Sequence, residues 1–142
     1  MIYEQNRPQF AAPYLAPLLF ALVATAGCGE QRAARYDLAG EVTFNGRPVP
    51  IGFMVFEPDA EAGNSGPGAR ADIKDGKYST PPDRGHTGGP HIVRIFGYDG
   101  VAYQISEDGM MNPMGRPLFE SAEVKIELPK ETAKRDFALP QP

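Results

Sequence analysis

The two histidines of the chain are the residues best suited to proton transfer or metal binding. His86 and His91 enclose a short glycine-rich segment in the sequence His-Thr-Gly-Gly-Pro-His. Imidazole titrates near neutral pH, and its nitrogens bind zinc. A zinc site would need a third ligand, for which Asp83 and Asp99 are the nearest carboxylate candidates. The simpler interpretation is an exposed loop histidine and a second histidine at a strand start, each hydrogen-bonded or solvated, without a metal.

A cluster of methionines offers a second kind of metal chemistry. Met110, Met111 and Met114 lie close together in the segment 97–117. Thioether sulfur binds Cu(I), but no cysteine or histidine lies beside the cluster. Methionine more often fills irregular apolar gaps, so we expect these side chains to cover an edge of the core.

Oxygen ligands for calcium and aromatic rings for a sugar are the remaining candidates. Asp59, Glu61 and Asn64 lie in the segment 59–68, but their order does not match the twelve-residue calcium loop. A solvated acidic loop is the better interpretation. Tyr36 and Tyr78 fall on core-facing positions of the alternation, whereas Tyr98 and Tyr103 lie in the segment 97–117. Two exposed rings do not make a sugar-binding platform.

The sequence therefore predicts no catalytic residue, no bound metal and no cofactor. A hydrolase needs a nucleophile or metal beside a tuned acid or base, and no such set is recognisable. The chain has 14 Lys and Arg against 18 Asp and Glu, a formal charge of −4, and no basic run. A nucleic-acid partner, which phosphate contacts would have to hold, is therefore not expected.

The beginning of the chain predicts export. Residues 8–29 contain no charged side chain, and an apolar run covers residues 14–24 after Arg7. Such a run of ~11 residues would form a helix of ~16 Å, too short for a ~30 Å hydrocarbon core. A short apolar run with a weakly basic start and small residues at its end is typical of a secretory signal peptide. We predict a cleaved signal peptide over residues 1–27.

The only cysteine follows this segment and resembles the lipobox of bacterial lipoproteins. Ala26, Gly27 and Cys28 match that pattern, whereas Thr25 replaces the usual branched aliphatic residue. The resemblance implies that Cys28 receives diacylglycerol, that the chain is cut before it, and that fatty acids such as palmitate anchor the protein. The residue after the cysteine favours the outer membrane, by the same resemblance. The alternatives are an uncleaved anchor or a free buried thiol.

The remaining residues predict one small β domain. The 142 residues include 16 Gly and 15 Pro, too many helix breakers for a helical bundle, and 42% of residues are hydrophobic. After a tether over 28–35, apolar and polar residues alternate, with Asn45-Gly46 and Asp75-Gly76 marking tight turns. We predict an all-β, about seven-stranded antiparallel β-sandwich over residues 36–142. The predicted strands are 36–44, 49–57, 69–74, 77–80, 91–96, 122–128 and 137–139.

Part of this domain is similar to a known module. The segments YDLAGEVTFNGRPVPIGFMVFEPD and ADIKDGKYST resemble the carboxypeptidase regulatory-like, transthyretin-like (prealbumin-like) sandwich. The closing segment GRPLFESAEVKIELPKETAKRDFALP is similar to the version in small bacterial surface lipoproteins. The resemblance implies a fold and leaves activity open. The 5-hydroxyisourate hydrolases of that fold carry a Tyr-Arg-Gly-Ser tail, which this sequence lacks.

We therefore expect a non-catalytic structural or protein-interaction module. Acyl chains on Cys28 would bind it to a membrane of the cell envelope, with the outer membrane or the periplasmic face favoured, and an envelope protein would be its partner. Two alternatives stay open. One is a module that binds carbohydrate, calcium or copper through segments 59–68 and 97–117. The other is an accessory module of an exported enzyme.

Overall fold

The computed structural model describes residues 33–140, which contain β-strands and no helix. The all-β class is therefore confirmed, and no helix in this range has the length and apolarity to cross a membrane. The predicted signal peptide and Cys28 lie outside the described residues. The strands are β1 (Leu38–Phe44), β2 (Arg47–Pro48), β3 (Ile51–Pro58), β4 (Ala69–Lys74), β5 (Lys77–Ser79), β6 (Gly89–Tyr98), β7 (Tyr103–Gln104), β8 (Met111–Asn112), β9 (Ala122–Leu128), β10 (Ala133–Lys134) and β11 (Phe137–Leu139).

Nine of these strands form one curled sheet. Their order is β10-β1-β5-β4-β3-β6-β9, with β2 and β11 also paired to β1. Each of the seven predicted strands overlaps an observed strand. Most pairs are antiparallel as predicted, but β10 and β11 both lie parallel to β1, which corrects the fully antiparallel prediction. The predicted long loop after residue 97 is also more ordered than expected, because β7 and β8 pair there as a hairpin.

Tight turns join the strands where the sequence predicted them. Asn45 and Gly46 have φ of 52° and 72°, and Asp75 and Gly76 have φ of 50° and 76°. Positive φ at both central residues is the requirement of a type I′ turn, which Asn-Gly and Asp-Gly satisfy at low cost. These turns fix the registers of β1 with β2 and of β4 with β5.

The core lies on one face of the curled sheet. Alternate residues of β1, β3, β4 and β6 point inward and are fully or almost fully buried. β1 changes partners at its middle, since its first half pairs with β5 and β10 and its second half with β2 and β11. The end of the chain thereby covers the core. The largest buried side chains are Phe56, Leu38, Met54, Ile73, Ile95, Val42, Val49 and Val93, together with the two histidines.

The opposite face of the sheet carries a half-buried aromatic pair. Phe53 and Phe96 stack with ring centroids 4.6 Å apart, and the Arg70 guanidinium lies 4.3 Å from the Phe53 centroid. Strand β3 is therefore apolar on both faces.

The domain has two ends, which position all candidate site residues. The chain enters at one end, where Tyr36 pairs with His86 and Pro58 pairs with His91; we call it the entry end. At the other, the distal end, Ile51 pairs with Tyr98 and the β7–β8 hairpin follows β6. Strand β6 runs from one end to the other over 10 residues, roughly 33 Å at the usual rise.

Candidate functional site

The two histidines are buried together at the entry end. His86 is 0% and His91 1% exposed, and their rings meet edge to face with centroids 6.0 Å apart. The expectation of an exposed loop histidine at position 86 is therefore wrong. The physical reason is a two-way backbone pairing between Tyr36 and His86, with N–O distances of 2.8 and 2.9 Å, which draws the loop inward.

Neighbouring glycines hold the two imidazoles in opposite tautomers. The amide of Gly88 donates to Nδ1 of His86 at 3.1 Å, so the proton of neutral His86 is on Nε2. The carbonyl of Gly89 can only accept, so Nδ1 of His91 donates to it at 2.9 Å, and in the neutral ring Nε2 keeps its lone pair. Neither buried Nε2 atom makes a hydrogen bond of normal geometry among residues 33–140, although the backbone of Glu131 is near enough to the His86 ring to affect its pKa. The pair thus presents one donor and one acceptor inside the protein.

Burial also controls the charge of His86. Desolvation lowers the pKa of His86 below its ordinary value, the nearby His91 lowers it further, and the backbone of Glu131 opposes the shift. The Gly88 amide acts in the same direction as burial, because Nδ1 must lose that hydrogen bond to accept a proton. His86 is therefore neutral at neutral pH.

Glycines make this close packing possible. A Cβ on Gly85 would lie 1.8 Å from the carbonyl oxygen of Tyr36, and one on Gly88 would lie 2.5 Å from the side chain of Lys130. Gly88 and Gly89 also have positive φ of 76° and 82°. The glycine-rich flanks of the histidines were the one signal in the sequence for this geometry, since glycine permits close backbone approach.

The pair does not gain the further ligands that a zinc ion needs. Within residues 33–140 no three His, Cys, Asp or Glu side chains are placed to hold a metal ion. Asp99 lies at the distal end, where its Oδ1 accepts from the amides of Val101 and Arg116 at 2.9 and 3.0 Å. Asp83 is exposed in a turn. The structure brings the histidines together and leaves both carboxylate candidates apart from them.

The acidic segment 59–68 is built as a turn. Asp59 is buried, and its Oδ1 accepts from the amides of Glu61 and Ala62. The ammonium of Lys125 lies 3.7 Å from a carboxylate oxygen of both Asp59 and Glu61, where a calcium ion would have to bind. The third candidate, Asn64, donates to the carbonyls of Gly88 and Pro90 and so fastens this segment to the histidine loop. The three residues act as structural connections.

The methionines do not cover the core as expected. Met110 and Met111 are 63% and 52% exposed on the β7–β8 hairpin, and only Met114 is half-buried. All the large exposed hydrophobic side chains found in residues 33–140 belong to this region. They are Val101, Ile105, Met110 and Met111.

The tyrosines are distributed over both ends of the domain. Tyr78 is buried, as its position in the alternation predicted, and its hydroxyl donates to the carbonyl of Arg135 at 2.7 Å. Burial raises the pKa of Tyr78, and the charge of Asp136 adds to that shift. Tyr36 packs against His86 at the entry end, whereas Tyr103 lies under the guanidinium of Arg116 at the distal end. This spacing gives no common sugar platform.

Comparison of the chain with protein-family models, curated proteins and solved structures gave no match in any of the three. The resemblances to lipoproteins and to the transthyretin-like module therefore stay predictions. Function has to follow from the residues and their positions.

Proposed function

We propose that this chain is an exported, lipid-anchored protein of the cell envelope, whose β domain is a non-catalytic protein-interaction module. The domain would be a sandwich of the transthyretin-like kind. The position of Cys28 after an uncharged apolar segment supports the anchor. The structural use of the histidines, the acidic segment and the tyrosines supports a binding role over a catalytic one.

The observation that carries the interaction role is the exposed apolar surface of the β7–β8 hairpin. Ile105, Met110 and Met111 in the hairpin, and Val101 just before it, are all at least half exposed. Apolar side chains concentrated at one exposed place mark interaction sites in soluble domains. Methionine is well suited to such a surface because its flexible side chain adapts to a partner.

The surface continues into a groove at the distal end. Phe44, Pro48, Pro50 and Leu118 line a cavity of about 540 Å³ that also touches Asp99, at the base of the hairpin. A partner that packs against the hairpin could therefore insert an apolar side chain beside it.

The position of the hairpin favours a protein as the occupant. The chain between Cys28 and Tyr36 can span at most roughly 27 Å, so an anchor would hold the entry end near the membrane. The hairpin is at the other end of β6, roughly 30 Å away. A surface that faces away from the lipid would meet another envelope protein.

Site-specific photo-crosslinking in cells tests this role. A photoreactive amino acid at Met110 should give one discrete protein adduct, and the Ile105→Asp substitution should abolish it. The same label at Glu123, which is exposed on β9, is the control and should give no such adduct. Equal adducts from both positions, or none from Met110, would contradict the interaction role. An exported enzyme as the adduct would identify the domain as an accessory module.

Metabolic labelling tests the anchor independently. A labelled fatty acid should enter the natural chain and not the Cys28→Ser variant. Equal incorporation into both chains would rule out lipidation of Cys28.

A further inference from the structure

A second cleft opens at the entry end, beside β4 and β5. Its volume is about 540 Å³, and three arginines, Arg35, Arg70 and Arg84, line it with a single carboxylate, Asp72. The whole chain has a formal charge of −4. The cleft is therefore a positively charged site on a protein whose net charge is negative.

Arg35 is fixed in place without a counter-charge. Its Nε donates to the carbonyl of Gly85 at 3.0 Å, and its Nη2 donates to the carbonyls of Gly68 and Arg84 at 2.7 and 3.0 Å. These bonds orient the guanidinium and leave its charge unneutralised. No carboxylate among residues 33–140 forms an ion pair with it. Because the rim of the cleft is already ordered, a ligand would not have to order it.

The other two arginines are available to a ligand. Arg70 lies on the ring of Phe53 and is 3.4 Å from Asp72, but the two charged side chains are 62% and 81% exposed. An exposed pair of this kind contributes little to stability and is readily exchanged. Arg84 is exposed and has no ion pair among the residues described, although its backbone bonds Pro81 and Arg35. The cleft thus carries three positive groups against one negative group.

We propose that this cleft binds a phosphate group. Guanidinium groups match phosphate oxygens with paired N–H donors, and they keep their charge at all physiological pH values. The phosphate could belong to an anionic lipid headgroup or to a soluble phosphate. The lipid source rests on the proposed anchor, because Arg35 follows Cys28 by only a short segment that spans at most roughly 25 Å. The cleft itself does not depend on that anchor.

Titration with inorganic phosphate at constant ionic strength tests the site in the full chain held in neutral detergent. The amide NMR signals of Gly68, Ser79 and Arg84 should shift and saturate. In the Arg70→Gln/Arg84→Gln variant the apparent affinity should fall at least tenfold. The Arg47→Gln/Arg116→Gln variant loses the same charge at the distal end and should bind phosphate as the natural chain does. Absence of saturation, or an equal loss in both variants, would overturn the proposal.

Membrane discs distinguish the two sources of phosphate. The full chain is inserted into discs of phosphatidylcholine, with or without phosphatidylglycerol, and trypsin cleavage after Arg84 is followed by mass spectrometry. A lipid headgroup as ligand predicts cleavage slowed several-fold by phosphatidylglycerol, and loss of that protection in Arg70→Gln. Equal cleavage in both discs, with phosphate binding retained, assigns the cleft to a soluble phosphate. If the chain binds phosphate but incorporates no fatty acid, the proposed lipid anchor is wrong and the proposed phosphate site stands.

Discussion

The buried imidazoles of His86 and His91 show how a single backbone group can determine the tautomer of a side chain. One glycine amide donates to His86 and one glycine carbonyl accepts from His91. The two rings consequently differ in tautomer although they lie in one pocket. The effect of buried His86 is expected in the stability of the domain and in its pH dependence.

The lowered pKa of His86 predicts acid sensitivity. The unfolded chain has the ordinary histidine pKa of 6.5 and binds a proton below it, whereas folded His86 does so only at lower pH. Because the unfolded state then binds more protons, the free energy of unfolding should fall as pH drops below about 6.5. Urea unfolding between about pH 5 and pH 8 measures this slope. The His86→Phe variant, which cannot titrate, should show a smaller slope, and equal slopes would contradict the prediction.

The buried hydroxyl of Tyr78 makes a second test at this scale. Its bond to the carbonyl of Arg135 links β5 to the segment between β10 and β11. Tyr78→Phe should lower the free energy of unfolding by about 1 kcal/mol, the usual net value of such a bond. Tyr103→Phe is the matched control on the hairpin and should leave stability unchanged. A loss of the same size in both variants would show that the bond is not responsible.

At the scale of strands, the close approach of neighbouring backbones determines where only glycine is tolerated. A Cβ on Gly52 of β3 would lie 2.1 Å from the carbonyl oxygen of Phe96 on β6. Gly52→Ala should therefore destabilise the domain by about 1–3 kcal/mol, the usual cost of overpacking. At Gly68 the nearest atom to a Cβ would be 3.0 Å away, so Gly68→Ala should cost less. Thermal unfolding of both variants measures the difference, and equal midpoints would contradict it.

The strands and turns also show which parts of the fold could be predicted from the sequence. The longer strands were recognisable because period-two alternation survives over several residues, and the type I′ turns because their residue types are specific. Strands β2, β7, β8 and β10 have two residues each, too few to show a period. Strand β2 follows β1 through a tight turn and β7 pairs with the nearby β8, whereas β10 pairs with β1, a distant part of the chain. The burial of His86 was missed for the same reason, since it follows from pairing with Tyr36.

At the scale of the whole domain, strand β11 covers the remaining open side of the hydrophobic core. β11 lies parallel to the second half of β1, and Phe137 and Leu139 complete the core. The sequence predicted β11 as a strand but gave no sign of its partner, because a three-residue alternation contains no information about pairing. The arginine-lined cleft at the entry end is separated by the length of the sheet from the apolar groove and the hairpin at the distal end.

Removal of one side chain from this last strand tests its importance. Phe137→Ala should lower the free energy of unfolding by about 3–5 kcal/mol, the usual cost of deleting a buried aromatic ring. Ala138→Ser changes the exposed neighbour in the same strand and should have little effect. Chemical denaturation compares them, and a small effect of Phe137→Ala would show that β11 is not required to close the core.

The pairing of β1 with the end of the chain also affects how the protein is made. The amide of Glu41 bonds the carboxylate of Asp136, which is 95 positions further along the sequence. Synthesis proceeds from the N-terminus, so β1 has no parallel neighbour until residues 133–139 have been made. Contacts between such distant residues also form slowly. A nascent chain of this kind stays incompletely folded until these residues have been made, which is the form that the proposed export through a narrow translocation channel would require.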